Sequence, residues 1–277
     1  MDRMRLLAPL VRTTSYIVRS NARNGVVSGL AKLARLYLRA YNNERFWQAQ
    51  TNGEYWLAKT ALSLRTHSSS SAILDIGANR GDWAGGVLER LSDHQPTTIL
   101  CFEPNPTVFQ ELQIRASEFR GTVETHMAAI GENSGTRALQ ITQDDSMAAF
   151  QLRAGLFPQR SENVTVISSL ELEQLLRARK IIFAKIDTEG AEVEVLRALL
   201  TRIAEDQPIV QFEYGKTWLP SRSQLKDVYD MLGPLGYSIG RLHPKWVRFA
   251  PYSVDAVETY AYGNYAAVPA KLAHHFE

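Results

Sequence analysis

Ser71-Ala72-Ile73-Leu74-Asp75-Ile76-Gly77-Ala78-Asn79-Arg80-Gly81-Asp82-Trp83 runs a short apolar segment into an acid, a glycine-containing bend and a helical start. This is the pattern of a first strand and ligand loop in a nucleotide-type α/β domain. Thr98-Ile99-Leu100-Cys101-Phe102 is a second apolar run, ending in Glu103, with a helix-like segment between the two. A strand, a glycine turn, a helix and a second strand tipped by an acid together shape a pocket for an adenosine.

The loop separates two ligand classes. Gly77 and Gly81 enclose Ala78-Asn79-Arg80, so the G-x-G-x-x-G spacing that seats a pyrophosphate on helix amides is absent. Asp75 ends the strand where it repels a phosphate and attracts a cationic amino group. S-adenosylmethionine carries such an amino group and a sulfonium, and no phosphate. Glu103, 28 residues beyond Asp75, offers two acceptor oxygens to the ribose hydroxyls.

Outward from this stretch the pattern is regular. Apolar runs at 72–76, 98–102, 122–127, 164–167, 181–186, 207–213, 237–241 and 263–268 alternate with helical segments near 82–92, 106–119, 169–179, 190–204 and 221–233. Alternation of this kind predicts a mostly parallel sheet with helices on both faces. Phe183-Ala184-Lys185-Ile186-Asp187-Thr188-Glu189-Gly190 ends a strand in two acids, and Glu213 ends the next one. The carboxyl ends of strands form the ligand crevice of an open α/β sheet, so these acids fall where chemistry is done. Asp187 is the first candidate base and Glu189 the second, with Glu213 as a substrate-orienting acid. Glu189 reads equally as a helix-terminal charge, and Lys185 as a salt-bridge or edge residue. The three acids could instead hold a hard divalent cation. His126 is a distant alternative base, and Asp144 and Asp145 read as turn residues that could also face adenine or gate the substrate.

With 277 residues, 45% hydrophobic and 22% charged, the composition is that of an ordinary globular chain with a sizeable core. The single cysteine, Cys101, excludes an internal disulfide and is compatible with a reducing cytoplasm. The six histidines are scattered and give a zinc site no support. A net charge of +2 hides an asymmetry: residues 1–40 hold eight arginines and lysines against Asp2 alone. This arm carries neither an export signal nor a bilayer-spanning stretch, and it lacks the interleaved aromatics of a nucleic-acid platform. It can lie on an anionic membrane face, attract an anionic substrate, or cap the main domain through Leu30, Leu33, Leu36 and Leu38. The expected organisation is a basic helical arm over 1–67, a serine linker at 68–71 and an α/β domain over 72–277.

Three segments in order, Leu74-Asp75-Ile76-Gly77-Ala78-Asn79-Arg80-Gly81-Asp82, Phe102-Glu103-Pro104-Asn105-Pro106 and Lys185-Ile186-Asp187-Thr188-Glu189-Gly190-Ala191-Glu192, resemble the FkbM-type S-adenosylmethionine-dependent methyltransferases. Met127-Ala128-Ala129-Ile130-Gly131 and Asn264-Tyr265-Ala266-Ala267-Val268 are similar too, so the resemblance spans about residues 72–268. It implies a Rossmann-like sheet of seven strands and O-methylation of a hydroxyl on a sugar, a polysaccharide or a natural-product scaffold. It further implies that Asp75, Gly77, Asn79 and Gly81 surround the methionine moiety, that Glu103 holds the ribose, and that Met127, Ala128 and Ala129 touch adenine. Glu171 stands where the family has an aspartate and is left out of the site. Two other readings of the residues compete: an NAD-dependent sugar oxidoreductase, and a non-catalytic methyltransferase-like domain tethered by its arm.

Overall fold

The computed structural model describes residues 3–64, 70–90, 97–119, 122–143, 147–152, 155–254 and 258–277, with backbone alone for 3–11. Asp144, Asp145 and the first half of the serine run, Ser68 and Ser69, lie outside the described residues. The chain forms two compact units, Met1–Glu44 and Arg45–Glu277. The first holds helices α1 (Arg3–Ser20) and α2 (Gly25–Tyr41), the latter capped by the Asn24 side chain, which accepts from the Val26 N–H at 2.9 Å. No helix among the described residues is long and apolar enough to cross a membrane.

The second unit opens on α3 (Ala49–Asn52) and α4 (Glu54–Ser63), then alternates β1 (Ser71–Ile76), α5 (Asp82–Leu88), β2 (Thr97–Phe102), α6 (Pro106–Ala116) and β3 (Thr122–His126). Short strands β4 (Ala129–Ile130), β5 (Gly135–Ile141), β6 (Ala148–Ala149) and β7 (Arg160–Ile167) follow. Then come α7 (Ser169–Leu176), β8 (Lys180–Ile186), α8 (Glu192–Asp206), β9 (Ile209–Tyr214), α9 (Trp218–Ser221), α10 (Leu225–Leu232), β10 (Tyr237–His243), β11 (Trp246–Phe249) and β12 (Gly263–Pro269).

The main sheet has eight strands in the order β11-β10-β12-β9-β8-β1-β2-β3, one more than the sequence predicts. From β3 to β9 neighbours run parallel, while β12 pairs antiparallel with both β9 and β10. The added strand is β11, which folds back on β10 as a hairpin at the sheet edge. The run at 164–167 belongs elsewhere: β4, β7, β5 and β6 form a second sheet.

Strands β1, β2 and β9 are buried along their whole length because helices cover both faces. One face packs Leu74, Ala184 and Phe212 against Leu172, Leu196 and Val228 of α7, α8 and α10. The other packs Ile73, Phe183 and Ile209 against Leu57 and Ala61 of α4, Trp83 of α5 and Phe109 of α6. Helix α4 is therefore a structural layer of the α/β unit, and the units divide after Glu44 rather than at the serine run. Ser71 is already a strand residue, paired with Thr97 and Lys180.

Candidate active site

Strand β1 lies between β2 and β8, so successive connections leave it in opposite directions and the loops after β1 and β8 diverge at one sheet end. This is the switch point where ligands bind in open α/β sheets. The loop after β1 is pinned: the Gly77 and Ala78 N–H groups both donate to the Phe102 carbonyl at 2.9 Å, and the Asp187 N–H donates to the Ile76 carbonyl at 2.9 Å. Gly77 takes φ +79°, and a Cβ there would stand 1.8 Å from the Asp187 carbonyl oxygen. No side chain is compatible with that approach.

Glu103 is buried and accepts from the Asn79 N–H on one oxygen and the Asn105 N–H on the other, each at 2.9 Å. Burial outweighs these two donors and pushes its carboxyl up to about 7. Each oxygen keeps a further lone pair for a ligand hydroxyl. Ala128 and Ala129 are buried and line the same cavity, whereas Met127 is 51% exposed and outside it. Gly81, at φ +78°, turns the chain into α5 against Leu112 instead of facing the cavity. His126 stacks on Phe102 at 4.9 Å and is also outside the lining.

Asp187, just after β8, and Asp75, in β1, flank Lys185. The Lys185 ammonium sits 3.0 Å from Asp187 Oδ2 and 3.8 Å from Asp75 Oδ1. Burial opposes its charge, yet Asp187, Asp75 and Glu54 prevail and hold it above the ordinary lysine range. Burial likewise favours protonation of Asp187, but the ion pair with Lys185 and a hydrogen bond from Glu213 lower its carboxyl. Glu213 is raised well above the usual range, by burial first and then by Asp187, Glu189 and Glu192. Burial and the neighbouring carboxylates thus oppose a second negative charge beside Asp187.

Asp75 is fully enclosed, lies outside the cavity lining and, among the described residues, has no hydrogen-bond partner on either oxygen. Burial, countered by Lys185, raises it to about 6. Glu189 lines the cavity at φ +55°. The loop is braced by its neighbour Glu192, whose buried carboxyl accepts from the Thr188 N–H at 2.8 Å and the Gly190 N–H at 3.0 Å and is raised to about 7 by burial. Glu171 accepts the Ser168 N–H at 2.9 Å as the far half of a capping box on α7, which accounts for its place outside the site.

One residue of the cavity is invisible in the local motifs. Glu54, buried at the start of α4, accepts from Asn52 at 2.6 Å and Asn264 at 3.0 Å on Oε1, and from Gln211 at 2.9 Å on Oε2. Three carboxamides drawn from α3, β9 and β12 thereby fix a carboxylate on the cavity wall. The only advance signal is the presence of Gln211 and Asn264 inside apolar strands.

The cavity measures about 1150 Å³, against roughly 300–1,000 Å³ for a drug-sized ligand, so it has room for two reactants. Leu139 and Phe150 bring in the second sheet, and Trp47 and Tyr55 form part of the wall. S-adenosylmethionine fits the donor set: Glu103 can take ribose hydroxyls, Ala128 and Ala129 can face a flat base, and the Gly77-Ala78-Asn79 backbone leaves space for the methionine portion. Among the described residues no group of three histidine, cysteine, aspartate or glutamate side chains is arranged to hold a metal ion. Between Asp75 and Asp187 the positive charge is supplied by Lys185.

This fold and site define a ligand crevice at the switch point of an open α/β sheet, and comparison with known proteins supplies the family. The model described as the methyltransferase FkbM domain matches residues 75–239, more than half of the chain. The chain belongs to the FkbM methyltransferase family. Similar solved structures include a methyltransferase FkbM from Methylobacillus flagellatus KT, 18% identical with a TM-score of 0.44 over 74% of this chain and 45% of that one. The chain thus spans under half the length of that protein. A SAM-dependent methyltransferase from Aquifex aeolicus is 10% identical with a TM-score of 0.38, over 79% of this chain and 92% of that one. An Aeropyrum pernix fibrillarin, solved with natively bound S-adenosyl-L-methionine, is 12% identical with a TM-score of 0.38, over 77% and 74%. No curated protein matches the chain. Family membership, with the dinucleotide spacing absent, removes the NAD-dependent oxidoreductase reading.

Proposed function

We propose that this methyltransferase moves the methyl group of S-adenosylmethionine to a hydroxyl of a sugar, polysaccharide or natural-product acceptor. When bound, the cofactor supplies a methyl group already activated on a sulfonium, so the protein's work is alignment, exclusion of water and removal of the hydroxyl proton. The observation that carries the oxygen acceptor is the Asp187–Glu213 pair clamped by Lys185, with the Asp187 side chain 35% exposed beside the cavity.

A neutral alcohol is a weak nucleophile and needs a proton acceptor within hydrogen-bond reach. Asp187 is the ionised member of the pair and accepts the hydroxyl proton. Glu213, protonated, keeps the pair at one negative charge and orients Asp187, and Lys185 balances that charge. Glu189, on the same loop, lines the cavity and binds a second hydroxyl of the acceptor. Glu103 holds the ribose, and Ala128 and Ala129 form the adenine wall.

Calorimetric titration with S-adenosylmethionine and its demethylated product, followed by transfer of labelled methyl to a panel of glycans, tests this reading. Asp187→Asn keeps cofactor affinity and lowers turnover by about 10²–10⁴-fold. Glu103→Ala weakens cofactor binding by about 1–3 kcal/mol. Failure to bind S-adenosylmethionine sinks the cofactor assignment, and full turnover by Asp187→Asn removes that residue as the base.

A further inference from the structure

Helix α2 is amphipathic. At about 100° per residue, Lys32, Arg35 and Arg39 fall within one arc of about 60°, and Val26, Leu30, Leu33, Tyr37 and Tyr41 run along the other side. None of its residues is buried: Leu30 is 61%, Leu33 63% and Tyr37 67% exposed. The Tyr37 and Tyr41 rings stack at 6.1 Å, one turn apart on the apolar side. No aspartate or glutamate occurs between Arg3 and Asn43.

An exposed apolar arc backed by cations on the opposite side of the helix suits an anionic lipid surface, where acyl chains take the apolar side and the cations add attraction to the headgroups. We propose that α2 lies on the surface of an anionic bilayer, with Leu30, Leu33 and Tyr37 at the acyl boundary and Lys32, Arg35 and Arg39 among the headgroups. This inference is independent of the acceptor proposed above.

The full chain is sedimented with vesicles of phosphatidylcholine alone or mixed with phosphatidylglycerol. The expected result is partition into the mixed vesicles, weakened by added salt, and little into the neutral ones. Each cation neutralised lowers partition on the order of fivefold, so K32Q/R35Q/R39Q together lower it about a hundredfold. L30D/L33D abolishes partition while leaving thermal melting in the absence of lipid unchanged. Absence of partition, equal partition into neutral vesicles, or indifference to the α2 substitutions overturns the proposal. A fall in melting temperature of L30D/L33D would show that the chain itself covers this face, and a halving of mass by light scattering that a second copy does. Either result also overturns it.

Discussion

Removing the Glu54 carboxylate tests whether the wall of the cavity is built as described. In Glu54→Ala the amides of Asn52, Gln211 and Asn264, all buried, each lose an acceptor now held at 2.6 to 3.0 Å. A stranded buried donor costs about 1–3 kcal/mol, so three of them cost at least about 3 kcal/mol. For a unit of this size each kcal/mol moves the midpoint by roughly 2–4 °C, which gives a fall of roughly 6–12 °C. Glu54→Gln should cost less, because Gln211 Oε1 is buried and has no hydrogen-bond partner among the described residues. Turning the Gln211 amide over would present that oxygen to the new carboxamide and leave the substituted carbonyl facing Asn52 and Asn264. Melting of the parent and both variants by circular dichroism should therefore rank parent above glutamine above alanine. An alanine variant melting within about 2 °C of the parent would refute the reasoning, since cavity water would then be satisfying the amides.

Further outcomes concern backbone and pH. Gly77→Ala forces a Cβ into the 1.8 Å approach to the Asp187 carbonyl at a φ of +79°, and should cost more than about 2 kcal/mol in urea denaturation; a cost below about 1 kcal/mol would show that the two loops are not pinned together. Asp75, Glu103 and Glu192 are raised by burial to about 6, about 7 and about 7. The folded chain therefore keeps protons that the unfolded chain has released. The stability these groups contribute is complete below the ordinary carboxylate range and is lost as the pH rises through their folded values. For Glu103 alone, the rise from 4.5 to about 7 corresponds to about 3 kcal/mol. Urea midpoints should fall from about pH 5 to about pH 8, and a flat profile would contradict the burial of these carboxyls.

What could be read from local sequence was set by local physics. Gly77, Glu103 and Asp187 lie at the carboxyl ends of apolar strands, where chain geometry alone delivers a side chain to the crevice. Strand β11 escaped because it is four residues long with Trp246 exposed and Arg248 half-buried, so no apolar run marks it. Strand β5 escaped for a related reason: it buries Leu139 and Ile141 alone and its partner is in a second sheet. Met127 shares an apolar stretch with Ala128 and Ala129, but the chain leaves β3 there, and the three residues no longer share a face.

Sequence by itself determined the parallel α/β architecture, the family and the strand-end acids, because periodicity and short motifs are properties of neighbouring residues. Tertiary structure alone decided the state of those acids. Asp75 and Asp187 share Lys185 because β1 and β8 are adjacent in the sheet, and the Glu213 carboxyl is raised because the assembled sheet buries it and β9 brings it against Asp187. Glu54 reaches its amides across 157 residues to Gln211 and 210 to Asn264. Charge state and carboxylate geometry depend on burial and on partners remote in the chain, and these exist only once the sheet has assembled.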